Sequence, residues 1–222
     1  MRREGFELTI GRPRVLLREE NGQKFEPVEE VIIDVDDEHT GAVVSTLTER
    51  KGELVDMRPS GVGRTRLRLF VPTRSLIGYQ PQLLQDTRGT AIFNRLFHEY
   101  APYKGPLPGR RTGVLISNSG GAAVAYALWN LEERGPMMID PGVDVYEGMI
   151  IGEHSRENDL EVNPIKGKQL TNIRTTSKDE AVRLTPPKRL TLEQSLGYIA
   201  DDEYVEVTPK SIRLRKIFLD PH

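Results

Sequence analysis

Between Pro27 and Tyr100 the apolar residues switch repeatedly between the strand period of two and the helical period of 3.6. The first strand is marked by alternating Val31, Ile33 and Val35. The elements after it are a helix at Thr40–Arg50, strands at Glu53–Met57 and Arg64–Val71, a helix at about Leu76–Asp86, and a strand at Thr90–Tyr100. This βαββαβ order predicts a small sheet with both helices on one face, which is the ferredoxin-like arrangement of an α+β protein.

The face of this sheet away from the helices carries charge of both signs. Its third strand contributes three arginines, Arg64, Arg66 and Arg68. Its first strand contributes three carboxylates, Glu30, Asp34 and Asp36. The arginines could bind phosphates as a row. The two strands are neighbours in this topology, however, so the sequence favours cross-strand ion pairs.

The regions on either side of this unit have weaker patterns. Two short strand patterns in residues 1–20 cannot bury their apolar faces alone, so they either pack on the residues after them or end a preceding domain. The Pro- and Gly-dense stretch at 101–109 predicts a domain boundary. Beyond it the pattern is mixed but strand-rich, with strands at Gly113–Ser117, Val143–His154, Tyr204–Val207 and Ile212–Ile217. Ala122–Leu128 fits a strand or a short helix, and Thr191 and Gln194 have capping-box spacing at the start of a helix.

A polar, basic stretch without periodicity occupies residues 166–180, between apolar segments. A loop of this length is either functional or a solvated excursion. The formal net charge of the chain is −2, so any contact with nucleic acid must come from a local basic patch. The side chains suited to phosphate, sugar and 2′-OH groups predict an RNA-binding loop; they are Lys166, Lys168, Gln169, Thr171, Asn172, Arg174 and Lys178.

A second basic feature lies near the end of the sequence. It contains Arg213, Arg215 and Lys216, which could also contact nucleic acid. The alternative interpretation is a solvated edge strand whose charges block aggregation.

Motifs of catalysis are absent from the sequence. It has no GxxxxGK[ST] phosphate loop, no GxSxG elbow and no Cys. His154 with Glu157, Asn158 and Asp159 could form a metal or acid/base cluster, but a polar loop between strands is the simpler interpretation. We therefore expect no catalytic residues and no metal site. The longest apolar run is too short for a membrane span and the N-terminus has no signal-peptide pattern, which predicts a cytoplasmic protein without membrane contact.

Several longer motifs resemble one known family. They are MRREGFELTIGRPRV, ERKGELVDM, SGVGRTRLRLFVPTRSLIGY, GVLISN, DVYEGMIIGEHSRENDLEVN, KGKQLTNIR, DEAV and LTLEQSLGYI. Together they run from Met1 to about Lys216, and they resemble the C-terminal half of the BipA/TypA translational GTPases, which are related to elongation factor G.

The resemblance implies a domain plan and a function. Residues 1–25 would be the tail of a truncated preceding domain, 26–105 a domain like domain V of elongation factor G, and 106–222 the C-terminal domain particular to the family. The implied partners of a monomer are the 70S ribosome, 23S rRNA and the A-site tRNA. The domain at 26–105 would face 23S rRNA, and the loop at about Lys166–Val182 would reach toward the acceptor end of the A-site tRNA and the peptidyl transferase centre. The implied processes are stress adaptation and assembly of the large subunit.

The resemblance also implies where the GTPase chemistry lies. GTP and Mg²⁺ would bind in the parent protein, upstream of these residues, so this chain would be no enzyme and would hold no cofactor. Two rival hypotheses stay open. One is a scaffolding module that contacts ribosomal proteins or assembly factors, and the other is a small hydrolase that uses His154 and Asp159.

Overall fold

The computed structural model describes residues 4–107, 109–110, 112–167 and 183–219. They form two compact units. The ferredoxin-like unit contains Pro13–Gly109 with Leu196–Tyr198. The C-terminal unit contains the described residues of Met1–Arg12, Arg110–Ser195 and Ile199–His222.

Strands outnumber helices in both units. The strands are β1 (Leu8–Gly11), β2 (Arg18–Glu20), β3 (Gln23–Asp36), β4 (Glu53–Gly61), β5 (Arg64–Pro72), β6 (Ile92–Pro102), β7 (Val114–Ser117), β8 (Gly121–Ala122), β9 (Asp144–Val145), β10 (Met149–Glu153), β11 (Leu160–Val162), β12 (Glu203–Val207) and β13 (Ile212–Lys216). The α-helices are α1 (Thr40–Glu49), α2 (Tyr79–Asp86), α3 (Ala125–Leu131) and α4 (Leu192–Tyr198). The predicted α+β class is confirmed.

The sheet of the ferredoxin-like unit is antiparallel, with β3 paired to β5 and β6, and β4 at the far side of β5. Alternate residues of β3 and β5 lie on one face and are fully buried; they are Val31, Ile33, Val35, Leu67, Leu69 and Val71. They pack with Val43 and Leu47 of α1 and Leu83 of α2 in one core. Burial of each such side chain contributes about 1.5–3 kcal/mol, so this face fixes the register of the sheet.

Several boundaries in this unit differ from the sequence prediction; β4 continues to Gly61 and does not end at Met57, and β6 is shifted by two residues to Ile92–Pro102. β3 begins at Gln23, because its first residues pair with β2 as well as with β6. The second helix begins at Tyr79 and not at Leu76, since Gly78 has a left-handed φ of 70° and separates α2 from a short 3-10 turn at Thr73–Leu76.

The sheet of the C-terminal unit has six strands in the order β1-β12-β13-β10-β7-β11. β11 runs parallel to β7, and the other neighbours are antiparallel. The sequence analysis predicted two short strands in residues 1–20 without identifying what they pack on. The first of them is β1, and it pairs with β12 in this sheet. One side of the unit holds an apolar core that includes Leu115, Leu128, Met149 and Ile151.

One prediction for this unit needs correction, one ambiguity is resolved and one strand was missed. The strand predicted at Val143–His154 is divided into β9 and β10, because Gly148 takes a φ of 82° in the turn between them. The ambiguous stretch Ala122–Leu128 ends β8 and then enters α3. β11 was not predicted, since three residues are too few for a periodic signal.

None of the helices in the described residues is long and apolar enough to cross a membrane.

Candidate functional site

The described residues on both sides of the predicted RNA-binding loop are anchored on the C-terminal unit. On the entry side β11 ends at Val162, whose carbonyl accepts the N–H of Asn118 at 3.0 Å. The Pro164 carbonyl then accepts the N–H of Val124 at 2.9 Å, and Ile165 packs against the apolar core. Lys166 follows and is exposed to solvent.

The exit side is fixed in the same way. Leu184 packs against the core that Ile165 contacts. The N–H of Thr185 donates to the Glu132 carboxylate at 2.6 Å, and the N–H of Lys188 donates to the Met137 carbonyl at 2.8 Å. The segment between these anchors therefore starts and ends at defined positions on one core.

Of the seven predicted loop residues, the structure places one. Lys166 is exposed at the entry. The other six, Lys168, Gln169, Thr171, Asn172, Arg174 and Lys178, lie outside the described residues. The RNA-binding set remains a prediction.

The arginine row of the ferredoxin-like sheet is neutralised by its neighbouring strand, as the sequence favoured. Arg66 binds both carboxylate oxygens of Asp34, at 2.9 and 2.8 Å. Arg64 Nη1 lies 2.9 Å from Asp36 Oδ1, and Arg68 pairs with Glu30. The hydrogen bond from Arg66 holds the pKa of Asp34 below its usual range, against the opposing effect of burial. Phosphate binding by this row would require displacing these carboxylates.

The basic residues of β13 do not form a solvated edge, so that interpretation was wrong. β13 lies inside the sheet, between β12 and β10. Arg215 Nε lies 2.8 Å from Glu206 Oε1, and the Tyr146 hydroxyl donates to Glu206 Oε2 at 2.5 Å. Burial raises the pKa of Tyr146, and its hydrogen bond to Glu206 raises it further.

Lys216 is the centre of a second set of ion pairs. Its Nζ lies 2.5 Å from Asp159 Oδ2, 2.8 Å from Asp202 Oδ2 and 3.2 Å from Glu203 Oε1. Burial alone would lower the pKa of Lys216, but the hydrogen bonds to the carboxylates raise it above its usual range. Glu203 is fully buried and also accepts both Nη groups of Arg110 at 2.9 Å. These cations stabilise the fold and are committed to carboxylates.

His154 and Asp159 do not form a cluster with a free metal-binding face. His154 is buried, and its Nδ1 bonds to the Asn158 carbonyl at 2.5 Å. Asp159 accepts the N–H of Val114 at 2.9 Å in addition to the Lys216 pair. Within the described ranges no group of three or more His, Cys, Asp or Glu side chains is arranged to hold a metal ion. The favoured interpretation, a polar loop between strands, fits this geometry.

A basic cleft lies in the C-terminal unit that the sequence reasoning missed, apart from Arg213. It has a volume of about 300 Å³. Its charged lining residues are Lys188, Arg189, Lys210 and Arg213. They come from separate stretches of the sequence, so no run of basic residues signals the cleft.

Two family descriptions match consecutive parts of the chain. "Elongation factor G C-terminus" matches residues 23–111, and "TypA/BipA C-terminal domain" matches residues 112–221. Similar curated proteins are named "Large ribosomal subunit assembly factor BipA". They include those of Haemophilus influenzae (51% identical over 99% of the chain), Escherichia coli K12 (52% over 97%) and Bacillus subtilis (49% over 99%). The chain spans 36% of the length of these relatives.

Proposed function

Because this chain belongs to the TypA/BipA family, we propose that it is the ribosome-binding portion of a translational GTPase that acts in assembly of the large ribosomal subunit. The observation that carries the proposal is the identity of about half the residues, along nearly the whole chain, to relatives named for that role. GTP and Mg²⁺ would bind in the remainder of the parent protein, and these residues would contribute binding and not hydrolysis. The parent would act as a cytoplasmic monomer during stress adaptation.

We propose further that the loop after Lys166 contacts RNA, with 23S rRNA and the A-site tRNA as its partners. Its support is physical: Ile165 and Leu184, on the two sides of the loop, pack on one core, so both ends of the loop are attached to fixed positions. A loop held at both ends loses less conformational entropy on binding than a free tail does. Its basic and amide side chains would then contact phosphates and 2′-OH groups.

The test is co-sedimentation of the 222-residue chain with 70S ribosomes across a salt series. The variant replaces residues 170–178 with a Gly/Ser linker, and the matched control is Arg156→Ala, which removes an exposed charge from the same unit. We expect the loop variant to bind weakly, with a salt slope reduced by about one for each lost phosphate contact, and the control to bind normally. Full binding by the loop variant would remove the loop from the interface.

A protein-binding role is the second candidate, and exposed apolar side chains on β6 favour it. Leu96 and Phe97 are 68% and 63% exposed on a strand that pairs only with β3 within the described residues. Binding to ribosomal proteins that survives digestion of the RNA, and is lost in a Leu96→Ser/Phe97→Ser variant, would support this role over RNA contact.

A further inference from the structure

The basic cleft is lined by both apolar and basic side chains. Its lining comes from the starts of β10 and β13, from residues 188–190 and from Ser195 of α4, among others. Met138 and Leu190 are among its apolar lining residues. No Asp or Glu is among the described residues that line it. Its volume of about 300 Å³ lies at the lower end of the range for ligand pockets.

Two of the four lining cations are already neutralised. Lys188 Nζ lies 2.6 Å from Glu153 Oε2, and Arg189 pairs with Asp140. This leaves Lys210 and Arg213, for which no carboxylate within salt-bridge distance is found in the described residues. The nearest strand partner of Arg213 is Glu206, whose oxygens are occupied by Arg215 and Tyr146.

The hydroxyl of Ser195 is an independent indication of a ligand. Ser195 is 1% exposed and lines the cleft, and its Oγ has no hydrogen-bond partner among the described residues. Its backbone is fixed in α4, because its N–H donates to the Thr191 carbonyl at 2.8 Å and its carbonyl accepts the N–H of Ile199 at 3.1 Å. A buried hydroxyl without a partner is unfavourable, and a ligand oxygen in the cleft would satisfy it.

The turn between β12 and β13 holds Lys210 in place. The N–H of Thr208 donates to the Ser211 carbonyl at 2.9 Å, and the N–H of Ser211 donates back to Thr208 Oγ1 at 3.0 Å. Lys210 and Arg213 also line a neighbouring cleft formed with Glu7 and with Leu8 and Thr9 of β1. The second cleft is also lined by Glu7 and Glu206, so of the two clefts the basic cleft, with no Asp or Glu among its described lining residues, is the one that suits a phosphate.

We propose that the basic cleft binds a backbone phosphate of single-stranded RNA. Arg213 and Lys210 supply the positive charge, the Ser195 hydroxyl donates to a phosphate oxygen, and the apolar lining accepts the adjoining ribose. The site is separate from the loop, and it rests on the proposed function only in naming RNA as the source of the phosphate.

The test measures binding of the 222-residue chain to a fluorescent single-stranded oligouridylate of about twelve nucleotides, from about 50 to 200 mM salt. For Lys210→Ala/Arg213→Ala we expect a salt slope that is smaller by about 1.4, since each contact to a single strand contributes about 0.7. For Ser195→Ala we expect about tenfold weaker binding with an unchanged slope, because a neutral donor is lost. The matched control, Arg134→Ala/Arg156→Ala, removes two exposed charges that do not line the cleft, and should change neither quantity.

Two further measurements define the outcomes. Inorganic phosphate should compete only at concentrations far above those of the oligonucleotide; equal competition would identify a free-phosphate site and overturn the assignment to RNA. The single variant Lys210→Gln, at an exposed turn position, replaces the double variant if that one does not fold. Unchanged affinity and salt slope in Ser195→Ala and in the folded charge variant would refute the phosphate site in the cleft. Ribosome binding that still depends on the loop would then show that the proposed function holds without this site.

Discussion

Replacing Arg110 with Ala should destabilise the C-terminal unit more than replacing an exposed charged residue does. The Arg110 guanidinium donates to both oxygens of Glu203 at 2.9 Å, and its Nε donates to the Thr112 carbonyl at 2.6 Å. Glu203 is 0% exposed, so water cannot replace the lost donors. The carboxylate would keep the N–H of Ala200 at 2.9 Å and Lys216 Nζ at 3.2 Å.

The size of the loss follows from these contacts. Removing one partner of a buried ion pair costs about 3–5 kcal/mol, because the other charge stays buried and uncompensated. Since Lys216 and the Ala200 N–H remain on Glu203, we expect the lower limit, about 3 kcal/mol. With a urea m-value of about 2 kcal/mol/M, the unfolding midpoint should fall by about 1.5 M.

The assay is urea unfolding followed by the fluorescence of Trp129. This is the sole Trp of the chain and lies on α3, so it reports the C-terminal unit. Arg156→Ala is the control, since Arg156 is exposed and its backbone carbonyl, which the substitution keeps, accepts the N–H of Gly113 at 2.7 Å. Equal midpoints for the two variants would refute the buried-pair argument. The double variant Arg110→Met/Glu203→Leu should be more stable than Arg110→Ala, because it leaves no buried charge at position 203.

Two further predictions concern acid and capping. Arg66 lowers the pKa of Asp34, so the stability this pair contributes is complete above about pH 4, the unfolded value, and is lost as the pH falls through the folded pKa. The stability of the ferredoxin-like unit, measured by amide hydrogen exchange of β3 and β5, should therefore fall less steeply in Asp34→Asn than in the unmodified chain below pH 4. Parallel curves would contradict this. Thr191→Ala should lower the free energy of unfolding of the C-terminal unit by about 1 kcal/mol, because Thr191 Oγ1 accepts the Gln194 N–H at 3.3 Å. Urea unfolding followed by Trp129 fluorescence measures this loss. Thr191→Ser should lower it little, and equal losses in the two variants would exclude the cap as the cause.

The ferredoxin-like unit could be predicted in detail from the sequence, and the reason is local periodicity. Val31, Ile33 and Val35 alternate in a strand whose neighbours are also long and regular, so the buried face was readable before the partner strands were known. The capping box at Thr191 was readable for the same reason, since both of its hydrogen bonds close within three residues.

The C-terminal unit was less predictable, because it is held by contacts between distant residues. Arg110 and Glu203 are 93 positions apart. The strand order places β13 between β12 and β10, which no pattern inside β13 could indicate. Its Arg and Lys residues looked like an exposed edge, although Glu206 and Asp159 neutralise two of them.

The basic features also show why a count of charges in the sequence does not locate a binding surface. Three arginines alternate along β5 of the ferredoxin-like unit, yet each of them forms an ion pair with a carboxylate of β3, namely Asp36, Asp34 or Glu30. What matters for an anion is the charge that remains after the fold has formed its own ion pairs. In the basic cleft that remainder comes from Lys210 and Arg213, beside the buried Ser195 hydroxyl, which has no hydrogen-bond partner among the described residues. Among the described residues of the C-terminal unit, this remaining positive charge lies in a cleft assembled from separate strands and turns, where no single run of the sequence indicates it.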